Sequence, residues 1–194
     1  MTTSAQRAAA VKTAKKNEYP WMAVVHYKDE NADDGFICGG SLINSQWVLT
    51  AGHCIINTTT WVQNEARDLI VFFGVYNLKD AVKKILKNSA KDLENSAKDL
   101  ENSGKDLEDL VKDFGVPYKV SRIIRHPLMD NITLMNRKDG LEEPLIVYDF
   151  ALLQLEKEIN FMQYPKIRPV CLPQTSSENY AAWEATVTGL GFVR

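Results

Sequence analysis

Apolar positions along this chain fall into two textures. From residue 19 to residue 75, short apolar runs alternate with turn residues: WMAVVHY, then NADDG, then FICGGSLI, QWVLTA and DLIVFFGVY. The runs are strand-length and rich in aromatic and β-branched residues, so they predict an antiparallel β meander. Farther on, PYKVSRIIRH, IVYDFALLQL and WEATVTGL repeat that texture. Together they predict roughly seven strands, a mainly β chain and a small closed barrel.

Between the two β blocks the period changes. Leu86, Leu93, Leu100, Leu107 and Phe114 recur at every seventh residue, and Ala90, Ala97, Gly104 and Val111 stand four places after each Leu. One narrow apolar seam with polar flanks predicts a helical insert over residues 80–115. Glu94 with Lys98, Glu101 with Lys105 and Glu108 with Lys112 are i,i+4 pairs in the favourable order. At ~1.5 Å per residue such a helix reaches about 50 Å, unless Gly104 breaks it into a hairpin. The seam suits a coiled-coil contact or packing back on the barrel; local duplication of the heptads into a solvated spacer leaves the same pattern.

Composition narrows the function classes. The chain has 194 residues, 45% hydrophobic, with 23 Lys and Arg against 25 Asp and Glu. That describes a globular protein with one good core or two small ones. Its only basic cluster is Arg7, Lys12, Lys15 and Lys16, which does not make the stripe expected of a nucleic-acid binder. No run approaches the ~20 apolar residues that span a bilayer, so no membrane partner is expected. Residues 1–16 have no apolar core of the secretory-signal kind and read as a mobile or weakly helical leader, with one domain over 17–194.

Cys38, Cys54 and Cys171 match no zinc spacing, and no metal or other cofactor is expected. A disulfide between Cys38 and Cys54 would close a short loop and add roughly 3 kcal/mol, in keeping with an oxidising compartment. Asn57-Thr58-Thr59 and Asn131-Ile132-Thr133 are glycosylation sequons, with Asn57 and Asn131 the candidate acceptors.

NEYPWMAVVHY, FICGGSLINSQWVLTAGHC, YKVSRIIRHP, YDFALLQLEKEI, IRPVCLP and ATVTGLG stand in an order that resembles trypsin-like and chymotrypsin-like serine proteases. They look like the first of that fold's two β-barrels, running to about residue 173, with residues 184–191 resembling the strand that leads into the second. Two expansions, the heptads and residues 129 to 144, interrupt the likeness. The resemblance implies that His53 is a general base and Asp149 the carboxylate that orients it. The chemistry asks for those types: a group able to shuttle a proton near neutrality and an anion that fixes its tautomer. His26 reads as a strand residue near the barrel surface and His126 as a structural histidine at a strand end.

The nucleophile is the missing party. Of the nine serines, Ser4, Ser41, Ser45, Ser89, Ser96, Ser103, Ser121, Ser176 and Ser177, none has the Gly-Asp-Ser-Gly context the resemblance requires. The expectation is therefore that serine, oxyanion hole and specificity pocket fall beyond Arg194. Arg7, where the family is cleaved on activation, is followed by Ala8, Ala9, Ala10 and Val11 rather than Ile-Val-Gly-Gly. Val75 stands where calcium-binding members carry a glutamate, and Cys171 resembles the cysteine that tethers a light chain, leaving it unpaired here. The function expected is a secreted trypsin-like endopeptidase present as a fragment, acting on protein or peptide substrates if completed. The alternative is a non-catalytic homologue that self-associates through residues 81–114.

Overall fold

The computed structural model describes residues 13–27, 36–57, 60–76, 115–135, 142–173, 180 and 183–190. The heptad insert of residues 80–115 lies outside them except for Gly115, and so does most of the leader. Eight strands are present among the described residues: β1 (Met22–Tyr27), β2 (Phe36–Leu42), β3 (Trp47–Thr50), β4 (Leu69–Phe73), β5 (Val116–Arg125), β6 (Asp130–Met135), β7 (Glu142–Val147) and β8 (Ala151–Leu155). Six close into an antiparallel barrel in the order β1-β2-β3-β8-β5-β4. Among the described residues the other two, β6 and β7, pair only with each other.

Alternation of side chains explains the barrel. In β8, Ala151, Leu153 and Leu155 are buried while Leu152 and Gln154 are less so, and every second residue of a strand faces the same side. The interior holds these three with Ala23, Val25, Leu42, Val48, Leu69, Val71, Phe73, Val116 and Val120. Each fully buried Val, Leu or Phe contributes about 1.5–3 kcal/mol. Phe73 meets Tyr118 edge-on, with centroids 5.8 Å apart.

The residues expected to form a helix leave and rejoin the barrel at neighbouring points. Phe73 and Val116 are directly paired across β4 and β5, and each is flanked by a glycine with positive φ, Gly74 at 77° and Gly115 at 74°. A Cβ on Gly115 would strike the Phe73 carbonyl. Left-handed backbone at both glycines turns the chain out of the ladder and back into it.

Three expectations change. The run IVYDFALLQL is not one strand but the end of β7 and all of β8, separated at Tyr148, where φ is 50°. Residues 129 to 144, expected as a surface expansion, contain β6 and the first half of β7, while Met129 is buried. The expected strand over residues 184–191 has no ladder partner among the described residues. A strand needs an edge to pair with, and a closed barrel has none to offer. Instead, the Thr188 hydroxyl approaches Met22 Sδ at 3.3 Å, and Leu190 packs on an apolar cluster outside the barrel.

That outer cluster consists of Val24, Phe72 and Val75, with Ile37 and Ile70 beside them. Val75 is thus an apolar packing residue. His26 is two residues from Val24 and on the same side of β1; it is buried, and its Nε2 has no hydrogen-bond partner among the described residues. Burial lowers its pKa from the usual 6.5, because the charged imidazole loses its hydration. In the unfolded chain this histidine takes up a proton near pH 6.5, whereas in the barrel it resists until lower pH. Its contribution to stability is intact above that pH and is lost as pH falls through the folded value. Thermal melts over roughly pH 7 to 5 should therefore show a midpoint that falls with acid, and His26→Leu should flatten the curve. An unchanged slope in the variant would assign the acid sensitivity elsewhere.

Candidate active site

His53 and Asp149 are 96 residues apart in sequence, and strand pairing brings them together. Thr50 and Ala151 are direct partners across β3 and β8. The chain leaves β3 at Thr50 into a short 3-10 helix, Gly52–Ile55, which carries His53. It enters β8 at Ala151, two residues after Asp149. The two groups thus stand at the same end of one antiparallel pair.

Two hydrogen bonds join them. The His53 backbone N–H donates to Asp149 Oδ1 at 2.7 Å, and His53 Nδ1 lies 2.7 Å from Oδ2. An ionised carboxylate only accepts, so the ring proton sits on Nδ1 and Nε2 is the ring's acceptor. With its side chain 40% exposed, the imidazole remains accessible from solvent. The arrangement can do one thing chemically: accept a proton at Nε2 while the carboxylate steadies the resulting charge.

Packing holds this geometry. The expected disulfide between Cys38 on β2 and Cys54 is formed, tying the residue after His53 to the barrel wall. Thr50 donates its hydroxyl hydrogen to the Gly39 carbonyl at 2.8 Å, which anchors the end of β3. At Gly52 an added Cβ would meet the Met129 thioether and stand 3.2 Å from Asp149 Oδ1. A glycine here lets Met129 and the carboxylate approach the helix closely. Nothing in the sequence marked Met129, because its place beside Gly52 depends on the turn that follows β5.

The ligand atoms of Cys38, His53 and Cys54 lie within 4.8 Å of one another. Both sulfurs are committed to the disulfide, so this group has no thiolate to offer a metal. Cys171 is a free, exposed thiol. Asn57 is exposed, and its Oδ1 accepts the Thr60 N–H at 3.1 Å. Asn131 lies on β6 opposite Ile146, far along the chain from the other sequon.

A closed six-stranded antiparallel barrel, with a histidine and an aspartate paired at one end beside a disulfide, defines the class of serine-protease barrels. A family model described as trypsin matches residues 10–107, and the chain belongs to this family of serine proteases. It is similar to phenoloxidase-activating factor 1 of Holotrichia diomphalia, with 29% identity over 90% of this chain and 39% of that protein. CLIP domain-containing serine protease B9 of Anopheles gambiae is 27% identical over 90% of this chain and 35% of its own length. Melanization protease 1 of Drosophila melanogaster is 30% identical over 84% of this chain and 33% of its own length. The chain thus spans well under half the length of these relatives.

Asp149→Asn tests how the pair is ordered. The amide still offers an oxygen to the His53 N–H but presents N–H to the ring, which must then accept at Nδ1 and carry its proton on Nε2. Ring-nitrogen NMR should show that tautomer change, with folding stability altered by no more than about 1 kcal/mol. A ring still protonated at Nδ1 would refute the arrangement.

Proposed function

We propose that this chain supplies the general base, His53, and the orienting carboxylate, Asp149, of a trypsin-like serine endopeptidase. The observation that carries the reading is the double hydrogen bond between the two residues. In the reaction, Nε2 takes the proton of a serine hydroxyl as its oxygen attacks the peptide carbonyl, then returns it to the leaving amine; water repeats the cycle to free the acid. No serine of these 194 residues has the Gly-Asp-Ser-Gly context, so the nucleophile and oxyanion hole come from another segment. The disulfide and the two sequons support an extracellular setting.

A fluorophosphonate probe separates the possibilities. The 194-residue chain alone should not label. Joined to a second barrel bearing Gly-Asp-Ser-Gly, it should label and lose that labelling with His53→Ala. Labelling of the chain alone that vanishes with His53→Ala would overturn the missing-nucleophile reading, and none in the joined protein would overturn the endopeptidase reading.

The heptad repeat favours a second role. Leu86, Leu93, Leu100 and Leu107 at constant spacing form the sequence of a contact seam, so the insert serves as a helical self-association arm, whether or not the barrel is catalytic. Sedimentation should give a concentration-dependent oligomer that Leu93→Asp with Leu100→Asp reduces to a monomer. A monomer in both cases removes this role.

A further inference from the structure

Asp149 is attached to a backbone that its neighbour does not favour. Tyr148 has φ of 50°, left-handed geometry that an L residue with a Cβ populates roughly 5- to 30-fold less than the ordinary regions. This residue is the joint between β7 and β8, and its turn decides which way the next side chain points. Something has to hold it.

The ring of His126 is in place to do so. It stacks on Tyr148 with centroids 4.8 Å apart and planes 11° from parallel, and it lies 4.5 Å from the Phe150 ring at a 60° tilt. One imidazole thus contacts both neighbours of Asp149. The backbone completes the clasp: the His126 N–H donates to the Phe150 carbonyl at 3.2 Å, and the Phe150 N–H to the Tyr148 carbonyl at 2.8 Å. The Leu128 N–H donates to His126 Nδ1 at 3.2 Å, which fixes the ring's orientation. His126 itself is delivered by register, since Arg125 pairs with Ala151 across β5 and β8. Burial cannot be the holding force, because Tyr148 is 52% and Phe150 44% exposed.

We propose that His126 is a positioning residue for the His53 and Asp149 pair: by clasping Tyr148 and Phe150 it maintains the left-handed turn that aims the Asp149 carboxylate at His53. The proposal rests on the reading of those two residues as base and orienting carboxylate.

The test uses the full chain with isotope-labelled histidine rings and backbone, and measures by NMR how fast the His53 Nδ1 proton and the His53 amide proton exchange with water. Both are protected by Asp149. In His126→Ala, both should exchange roughly 2- to 10-fold faster, the worth of one aromatic pair, while amides of β1, β3 and β8 keep their rates. His126→Phe, which restores a ring, should return both to wild-type values. Tyr148→Gly accepts positive φ without strain, so in that background His126→Ala should have no effect. Were His126→Ala not to fold, His126→Gln against His126→Phe makes the same comparison. Unchanged His53 protons without the ring, no recovery with Phe, or equal acceleration throughout the barrel would each overturn the positioning role. An unprotected Nδ1 proton in the wild type would instead overturn the base and carboxylate pairing itself.

Discussion

Strand β8 is the element on which the rest depends. It sits between β3 and β5 in the closed order, so its pairing turns a row of strands into a barrel and sets the relation between the two ends of the site. Its alternation buries Ala151, Leu153 and Leu155. A slip of one residue would expose all three, so the hydrophobic pattern enforces a single register. That same register places Thr50 opposite Ala151 and Arg125 opposite Ala151 on the other side. His53, Asp149 and His126 therefore converge on one end of β8.

Closure also explains how the fold accepts so much inserted sequence. The heptads enter between Phe73 and Val116, which are paired across β4 and β5 whatever lies between them. Lengthening a loop whose ends are already held together adds closure entropy only logarithmically. The second insertion is of another kind. It forms its own antiparallel ribbon, β6 with β7, and returns the chain through Tyr148 to Asp149. The price of that return is a strained joint, and the aromatic clasp sits where the strain is.

Two apolar layers share the barrel wall. The inner one is the expected core, while the outer one joins Val24 and Phe72 to Val75 and Leu190, and strand β1 is buried on both sides. The outer layer accounts for Val75, and on the same side of β1 burial holds His26 below its ordinary pKa. The outer layer also uses Leu190 as packing rather than as part of a ladder.

The sequence was most legible where chemistry is local. Short alternating runs identified most strands, the Cys38 and Cys54 pair identified the disulfide, and LTAGHC with YDFALL singled out His53 and Asp149. It was least legible where one run served two sheets. IVYDFALLQL carries no Gly, Pro or Asn to mark its break, because a positive φ at Tyr148 is held by a distant ring rather than by the residue's own preference. Met129 and His126 were invisible as neighbours of the site for the same reason: their places follow from the ends of β5 and β8. The sequence by itself thus determined the β character, the family and the two residues, His53 and Asp149, that form the hydrogen-bonded pair, since periodicity and side-chain chemistry are local properties. Only the tertiary structure decided that the pair meets, which strands close and what holds Asp149 in aim, because those depend on ladder register and contacts between residues far apart in the chain.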